Sequence, residues 1–465
     1  MADLISVLYA AQSSMAAQRG LTATAAHNID NANNPDYARQ IAVIEAVAQP
    51  DQTPGGYIGR GATLATVTQA RDRFVEAQIP QALGNSASST AESDALQAFH
   101  GLDPGATGSL SDAVSGFYSS LRALVQNPSD SGLRAAALGA TDTMAAAFNR
   151  TAQQIEAARS GLDVQTSGLT AMVNSEATAV AQLNASIVQA AAAGGSPNDL
   201  LDLRQKHLDQ LAELTGATPV QTSGGAVDVV LPGGLTLVAG SRAGSLATAP
   251  DVANEGHLQV TMTQPDGSGP VSLQSAWLGG TLGGTLSARD GALADAGAQV
   301  DQLAWDLAGA LNAAHQAGYG LLDATSRPLL DVGSTVSGAA AAMSVVITNP
   351  GDLATGSSPS TPGDYANAQA LVGTESASLA GSTGVQSALS AIVSRFGTST
   401  AEAKAFAAQD GALKDHLTQL RDSYSGVSID DEMITMQTAQ RAYEAIAKVI
   451  QTTDQMMQTL MDMFP

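Results

Sequence analysis

The sequence predicts a mainly α-helical protein that carries a β-rich inserted module and pairs its N-terminal helix with its C-terminal helix. Three observations support this fold class. Apolar residues alternate at spacings of three and four at both ends of the 465-residue chain. The hydrophobic fraction is 44% while aromatic residues make up only 4%, which favours an interior of Ala, Leu, Val, Ile and Met packed between helices. Short runs typical of β-strands cluster between residues 218 and 286.

The first helix is predicted over residues 1 to 29, where small and apolar residues form one seam. The members of this seam are Met1, Leu4, Leu8, Ala11, Met15, Gln18, Thr22, Ala25 and Ile29. The helix is expected to end near Asn31, since asparagines favour turns and Pro35 cannot continue a helix. Residues 37 to 70 then alternate as strands do and have glycines such as Gly55 at the turn, which predicts a long hairpin.

The last helix repeats this pattern after Gly426. Its seam consists of Met436, Ala439, Tyr443, Ile446, Ile450, Thr453, Met457, Leu460 and Phe464. Ser428 is a typical N-cap residue, and the carboxylates that follow it, Asp430, Asp431 and Glu432, complement the positive end of a helix. The sequence therefore predicts where this helix begins.

Helical periodicity also covers most of the chain between the two ends. It runs from Asp72 to about residue 165 with interruptions at residues 101–108 and 127–130, and a further helical run covers residues 166–192. After a turn at residues 194–197 it covers residues 198–214, and it returns over residues 285–317, 364–396 and 399–425. The glycine pairs around residue 280 are interpreted as turns at a domain boundary. Three nested domains follow from this pattern. They are a terminal helical domain (1–35 with 428–465), a mainly helical domain that includes the hairpin (36–216 with 285–427), and a β-rich outer domain (217–284).

Composition excludes several classes of function. The formal charge of −23 repels phosphate backbones and anionic lipids, so neither nucleic acid nor a membrane surface is expected as a partner. The absence of cysteine rules out disulfides and thiolate metal sites. The first ten residues lack the basic start of a secretory signal, and no apolar stretch is long enough to span a bilayer.

No set of residues suggests chemistry, so no catalytic, cofactor-binding or metal-binding residue is predicted. The six histidines are scattered without the spacing of a metal site. His315 has no nucleophile motif beside it and is interpreted as structural. The three carboxylates after Ser428 point around a helix and are interpreted as capping residues. We therefore do not expect an enzyme.

Motifs at both ends resemble those of the flagellar axial proteins. At the head these are Asn28 and Asn31 in an Asn-Ile-x-Asn motif, followed by Tyr37 and Arg39. At the tail the segment from Ser425 to Glu432 carries Gly426, Asp431 and Glu432. Two internal segments are more specific and resemble the hook-associated protein 1 family. The first is Ser196-Pro197-Asn198-Asp199 with Arg204, and the second begins at Leu311.

This resemblance implies a nested multidomain axial protein of the bacterial flagellum with a structural role in motility. It would connect the hook to the filament at the hook-filament junction by stacking subunits into a ring. The implied partners are the hook protein, a second junction protein (hook-associated protein 3) and an export chaperone at the C-terminal region. Type III export without a cleaved signal peptide would place it outside the cell. The implied assembly interface comprises Leu4, Leu8, Ala11, Met15, Ile29, Met436, Tyr443, Ile446, Ile450, Met457 and Leu460.

Two alternatives stay open. A hook or distal-rod protein of the same axial family would share the terminal motifs, although it would have mostly β structure where this chain is helical between residues 72 and 214. A secreted hydrolase would need an enzymatic insert, and residues 218–286 are short for one. The sequence also departs from the family pattern, since Asp36 stands where Gly usually precedes the tyrosine and residues 319–362 are short for an extra outer domain.

Overall fold

The computed structural model describes residues 2–47, 51–53, 56–321 and 326–463. Met1, Gly55 and Phe464, which the sequence places in the seams and the hairpin turn, lie outside these residues. The predicted fold class is confirmed, since helices dominate, the sheets are small, and the two terminal helices pair. The helices are α1 (Ala2–Asp30), α2 (Arg73–Gln97), α3 (Leu110–Gln126), α4 (Ser131–Ala192), α5 (Asn198–Thr215), α6 (Gly280–Ala288), α7 (Ala294–Gln316), α8 (Ala339–Ala342), α9 (Ala366–Gly373), α10 (Val385–Ser425) and α11 (Ile429–Asp462).

The strands form small antiparallel sheets. They are β1 (Gln40–Ala46), β2 (Asp51–Thr53), β3 (Gly56–Ile58), β4 (Ala62–Gln69), β5 (Thr218–Gln221), β6 (Val227–Val230), β7 (Thr236–Ala239), β8 (Arg242–Ala243), β9 (Ser245–Pro250), β10 (Leu258–Thr263), β11 (Val271–Leu273), β12 (Leu330–Asp331), β13 (Ser344–Val345), β14 (Ser378–Leu379) and β15 (Ser382–Thr383). β1 pairs with β4 and β2 with β3, so these four strands form one long hairpin. The orders β5-β6-β7-β8 and β11-β10-β9 make up the β-rich module.

Two large hydrophobic clusters form the interior. The first lies among α3, the N-terminal half of α4, α7 and the start of α10, and its centre is fully buried at Phe117, Leu121 and Phe148. The second lies between the C-terminal half of α4, α5 and the inward faces of the β-rich module, as at Val229. The β-rich module therefore packs on the helical domain instead of standing apart from it.

Two helices are longer than the sequence predicted. α4 continues through the break expected at residues 165–166, and α10 is one helix where two were expected around residue 397. The glycines of these stretches, such as Gly161 and Gly397, have open space beside them, so they are tolerated at a modest cost in helix propensity. The residues between 374 and 384 form a short helical turn and the β14-β15 pair instead of helix.

The interpretation of Gly283 and Gly284 as turn residues is wrong, because both lie inside α6. There α6 crosses α2 so closely that a side chain on Gly284 would collide with the backbone of Ser88. Gly84 of α2 packs in a similar way, since a Cβ atom there would lie 2.7 Å from the Cα atom of Gly216. Glycine serves close helix packing at these positions.

The terminal helices lie apart from both large clusters. α1 packs along α11 with one side and against β1 and β4 of the hairpin with another, where Ala17 is fully buried. The end of α1 and the start of α11 lie together, so the two helices run antiparallel. This terminal helix pair meets the helical domain where the chain passes between them, at residues 31–39 and 426–428.

Candidate functional site

The predicted seams face each other in the terminal helix pair, but they are only partly covered. In α1, Ala11 is buried, while Leu4, Leu8, Met15 and Ile29 are half-buried. In α11 the most buried members are small, since Ala439 and Thr453 are each 2% exposed. The half-buried members of that seam are Met436, Ile446, Ile450 and Met457. Tyr443 and Leu460 lie at its edge, each 37% exposed.

A second apolar stripe runs along α11 and has no partner within the described chain. It consists of Ile434, Val449, Met456 and Met463, which are 62%, 48%, 48% and 71% exposed. The last three recur every seven residues, as seam residues do. At about 100° per residue, the stripe lies roughly a third of a turn around the helix from the seam that contacts α1. α11 therefore presents one apolar face to α1 and another to solvent.

Exposed apolar side chains also mark the outer side of α1. Tyr9 is 65% exposed and Ile5, one helical turn earlier, is 43% exposed. A contiguous apolar surface of this kind on a folded protein usually indicates a contact with another molecule.

The N-terminal motif residue Asn28 is a buried hydrogen-bonding centre. It is 1% exposed, its Nδ2 donates to the Gln40 carbonyl oxygen (2.9 Å), and its Oδ1 accepts from the Gln40 backbone N–H (2.9 Å). The Tyr37 hydroxyl donates to the same Oδ1 (2.7 Å). Asn31 instead bonds locally, from its Nδ2 to the His27 carbonyl oxygen (3.0 Å). Asn28 therefore fastens the end of α1 to the start of the hairpin.

An ion pair joins the residue before β1 to the last helix. The Arg39 Nε donates to Glu432 Oε1 (2.6 Å), and the Glu432 side chain is 4% exposed. The Arg39 backbone N–H donates to the Ser425 carbonyl oxygen at the end of α10 (2.9 Å). Arg39 thus connects the segment that leaves α1 to the segment that enters α11.

The internal motif lies at the same place, at the start of α5. Asn198 is 7% exposed, its Nδ2 donates to the Val67 carbonyl oxygen (2.9 Å), and its backbone carbonyl oxygen accepts from Gln69 Nε2 (3.0 Å). Asp199 accepts from Gln40 Nε2 (3.0 Å) and lies 3.2 Å from His27 Nε2. The motif therefore connects the helical domain to both the hairpin and α1.

One turn further along α5, Asp202 binds the end of the hairpin. Its Oδ1 accepts from Gln69 Nε2 (2.8 Å) and from Arg71 Nη2 (2.6 Å). We call Asn28, Tyr37, Arg39, Gln40, Asn198, Asp199, Asp202 and Glu432 the polar joint. Its members come from α1, the segment between α1 and β1, the hairpin, α5 and α11.

Burial raises the pKa of two carboxyls and of one phenol near the joint. It raises the pKa of Asp202 against the lowering effect of Arg71, and it raises the pKa of Tyr37, an effect to which Asp202 and Asp199 add. Burial also raises the pKa of Asp209 to about 6, although Gln205 and Arg421 pull it down. Tyr37 therefore stays a neutral hydrogen-bond donor.

The other predicted motif residues lie outside the joint. Arg204 is buried and donates from Nη1 to Asn184 Oδ1 (3.0 Å) and to the Gly225 carbonyl oxygen (2.6 Å). These two bonds connect the β-rich module to α4 through α5. Burial lowers the pKa of Arg204 to about 10. Ser196 and Pro197 form the turn before α5, and Gly426 caps α10. Asp431 is exposed, and its backbone N–H donates to the Ser428 side chain (3.4 Å).

No sequence pattern predicted a role for Arg71 or Asp202, and Arg39 was noted only as a neighbour of the N-terminal motif. The available signal was a charged residue directly before a strand, as Arg39 is before β1. Asp36, the departure from the family pattern, lies 3.1 Å from Lys206 Nζ at the surface beside the joint.

His315 has the structural role predicted for it. It is 2% exposed, its Nδ1 lies 2.8 Å from the Arg327 carbonyl oxygen, and its Nε2 accepts from the Ala354 N–H (3.1 Å). Within the described residues no group of three His, Asp or Glu side chains could hold a metal ion. The same residues include no helix that is long and apolar enough to cross a membrane.

Two family models match the chain. One described as the flagellar hook-associated protein FlgK helical domain matches residues 102–329, and one described as the flagellar basal body rod FlgEFG protein C-terminal matches residues 419–463.

Curated relatives carry the name flagellar hook-associated protein 1. The protein from Salmonella typhimurium LT2 is 29% identical over 334 residues, which cover 71% of this chain and 60% of the relative. The chain thus aligns with less than two thirds of that relative. The Escherichia coli K12 protein is 25% identical over 546 residues, covering 98% of this chain and 99% of the relative. The Bacillus subtilis protein is 24% identical and covers 97% and 96%.

A solved structure has a similar fold. It is described as the flagellar hook junction protein FlgK from Burkholderia pseudomallei, and it superposes with a TM-score of 0.67 at 18% identity. The match covers 77% of this chain and all of that one.

Proposed function

Because the chain belongs to the flagellar hook-associated protein 1 family, we propose that it is a structural protein of the hook-filament junction. The predicted resemblance of the chain to this family is thereby confirmed. In this role it joins the hook to the filament by stacking identical copies through the terminal helix pair. It carries out no reaction.

The second apolar stripe of α11 is the observation that carries this proposal. A helix that served only an intramolecular pair would need one apolar face, and α11 already uses that face against α1. Exposure of about half of the Val449 and Met456 side chains to water is unfavourable. Their burial against a neighbouring copy would be favourable. The assembly interface predicted from the seams would then include this stripe.

The proposal places the protein in the flagellum outside the cell. The hook protein and a second junction protein would lie on either side of its ring, and an export chaperone would bind its C-terminal region before type III export. The exposed methionines of α11 suit successive contacts with different partners, because a flexible thioether adapts its shape. The charge of −23 argues against nucleic acid and anionic lipid as partners.

A hook or distal-rod protein remains the alternative within the axial class. The tail match at residues 419–463 fits it as well, since that model is described for rod proteins. The long helices α2 to α5 and the match over residues 102–329 favour the junction role. Nothing in the β-rich module favours a hydrolase.

A deletion strain tests the role directly. We expect intact hooks, no filaments, and flagellin released into the medium, all measured by electron microscopy and immunoblotting of the supernatant. Normal filaments on the deletion strain would contradict the junction role.

Complementation with point variants tests the stripe. Val449→Glu and Met456→Glu should fold normally by circular dichroism but restore few filaments, because a carboxylate would be buried between copies. Gln451→Glu adds the same charge at an exposed position of α11 outside both apolar faces, and it serves as the matched control. Full filament counts with Val449→Glu and Met456→Glu would show that copies do not contact one another there.

A further inference from the structure

One short segment of the chain is buried in the helical domain although it belongs to no helix or sheet. It consists of residues 353–356, of which Leu353, Ala354 and Thr355 are 0%, 3% and 2% exposed. Its last residue forms an isolated bridge with Tyr319. Buried backbone N–H and C=O groups need hydrogen-bond partners. In this buried segment, side chains supply several of them.

Three helices of the helical domain each contribute one polar side chain to the buried segment. Arg134 of α4 donates from Nη1 to the Leu353 carbonyl oxygen (2.7 Å). Asn367 of α9 donates from Nδ2 to the Ala354 carbonyl oxygen (2.8 Å). The Nε2 atom of His315 in α7 accepts from the Ala354 N–H (3.1 Å). Of these three side chains, only the imidazole belongs to a type that titrates between pH 5 and pH 8.

The two partners of His315 determine which ring nitrogen carries the proton. The Arg327 carbonyl oxygen can only accept, so Nδ1, which lies 2.8 Å from it, is protonated. The Ala354 N–H can only donate, so Nε2 carries the lone pair. A proton on Nε2 would direct one N–H against another and leave the Ala354 amide buried without an acceptor. The observed contacts therefore require the neutral imidazole.

We propose that His315 is an acid-sensitive latch for the buried segment. The neutral imidazole holds residues 353–356 inside the helical domain, and its protonation releases them. The release is local, because the packing of α3, α4 and α7 around Phe117 and Phe148 does not use these hydrogen bonds. The inference concerns the single molecule and does not rest on the proposed function.

The charges around the imidazole determine the direction of the pH effect. Burial lowers the pKa of His315 more than its bond to the Arg327 carbonyl oxygen raises it. The Arg327 guanidinium lowers this pKa further, and the carboxylate of Asp352, which pairs with Arg327 at 2.8 Å, raises it. Arg134, which binds the same segment from α4, is a further buried cation. The bond to Ala354 is therefore present at neutral pH and is lost as pH falls through a pKa below the ordinary value near 6.5.

Thiol reactivity measures the release directly. The chain has no cysteine, so Ala354→Cys places a single thiol in the buried segment and keeps the backbone N–H that binds His315. The matched control is Ala304→Cys, at a fully buried position of α7. The rate of reaction with dithiodipyridine, relative to the urea-unfolded variant at the same pH, gives the protection of each thiol. From pH 7.5 to pH 4.5 we expect protection to fall by roughly tenfold or more in Ala354→Cys and to stay constant in Ala304→Cys.

Substitutions at the imidazole and beside it identify the titrating group, each made in the Ala354→Cys background. His315→Gln keeps a neutral acceptor that does not titrate, so protection should be the same at both pH values, whatever its level. His416→Gln, at an exposed position of α10, should keep the fall of the parent. Asp352→Asn removes a carboxylate that favours the imidazolium, so the fall should move to lower pH.

Three results would overturn the latch. They are constant protection of Ala354→Cys across this pH range, a fall in His315→Gln equal to that of the parent, and a simultaneous fall in Ala304→Cys, which would mean that the whole domain unfolds. Hydrogen exchange of residues 353–356 in the unsubstituted chain repeats the measurement without a new thiol. None of these readouts needs filament assembly, so the latch and the junction role can fail independently.

Discussion

The terminal helix pair and the helical domain are both built from long helices, but they bury their apolar residues to very different degrees. In the helical domain Phe117, Leu121 and Phe148 are fully buried. In the terminal helix pair the large seam residues, such as Leu8 and Ile450, are only half-buried, and the centre of the seam is made of Ala and Thr. The helical domain therefore buries its large apolar residues within one chain, whereas the terminal helix pair leaves much of its apolar surface exposed.

Truncating one leucine in each region should give the largest contrast. Leu121→Ala in α3 should lower the free energy of unfolding by about 3 to 5 kcal/mol, because it leaves a cavity in a closed core. Leu8→Ala in α1 should cost less than about 1.5 kcal/mol, since water already reaches that side chain. Urea unfolding followed by circular dichroism measures both. Equal losses would mean that the terminal seam is as well packed as the core.

A change of pH should affect the packing of α5 against α10 in the helical domain through Asp209, which bonds Arg421 of α10. Burial raises its pKa to about 6 in the folded protein, against about 4 when unfolded, so its stabilising contribution is complete below pH 4 and lost as pH rises through 6. Asp209→Asn should therefore gain stability relative to the parent by roughly 2 kcal/mol between pH 4 and pH 8. Urea midpoints at pH 4, 6 and 8 measure this gain. Asp422→Asn, at a neighbouring exposed position, is the control. The prediction is refuted if the difference in stability between Asp209→Asn and the parent is the same at all three pH values.

His315 should give the helical domain the opposite pH dependence. Burial lowers its pKa, so its contribution is present above its ordinary pKa near 6.5 and lost as pH falls. His315→Asn should lose about 1 kcal/mol at pH 8 through a weakened hydrogen bond, and its stability should change less than the parent's between pH 7 and pH 5. Urea midpoints across this range provide the measurement, with His416→Asn on the exposed face of α10 as control. Parallel curves for parent and variant would contradict this role.

The smallest expected effect is at the start of α11. Ser428→Ala removes a long N-cap hydrogen bond of 3.4 Å, which should destabilise the first turn by about 0.5 to 1 kcal/mol. The carboxylates of Asp430 and Asp431 still stabilise this turn through the positive end of the helix dipole. Hydrogen exchange of residues 429–433 should become faster by a few fold. Ser428→Asp, which keeps a capping oxygen, should not change it, and the prediction fails if both variants exchange alike.

The sequence was sufficient for features that depend on neighbouring residues. The seams of α1 and α11 follow from spacings of three and four, and the beginning of α11 follows from Ser428 and the acidic turn after it. Helix breaks were predicted less well, because a glycine inside a long helix is tolerated when the rest of the helix packs well, as in α4 and α10.

Only the tertiary structure determined the polar joint and which apolar face of α11 is covered. Arg39 and Glu432 are 393 positions apart, and no local periodicity relates a residue to a partner at such a distance. The seam of α11 has spacings of three and four, whereas the last three residues of the second stripe recur every seven residues, and only the burial of its side chains shows that the described chain leaves this stripe uncovered. The sequence by itself thus determined where the helices are apolar, and the fold decided which apolar and polar groups meet, because contact depends on position in space and not along the chain.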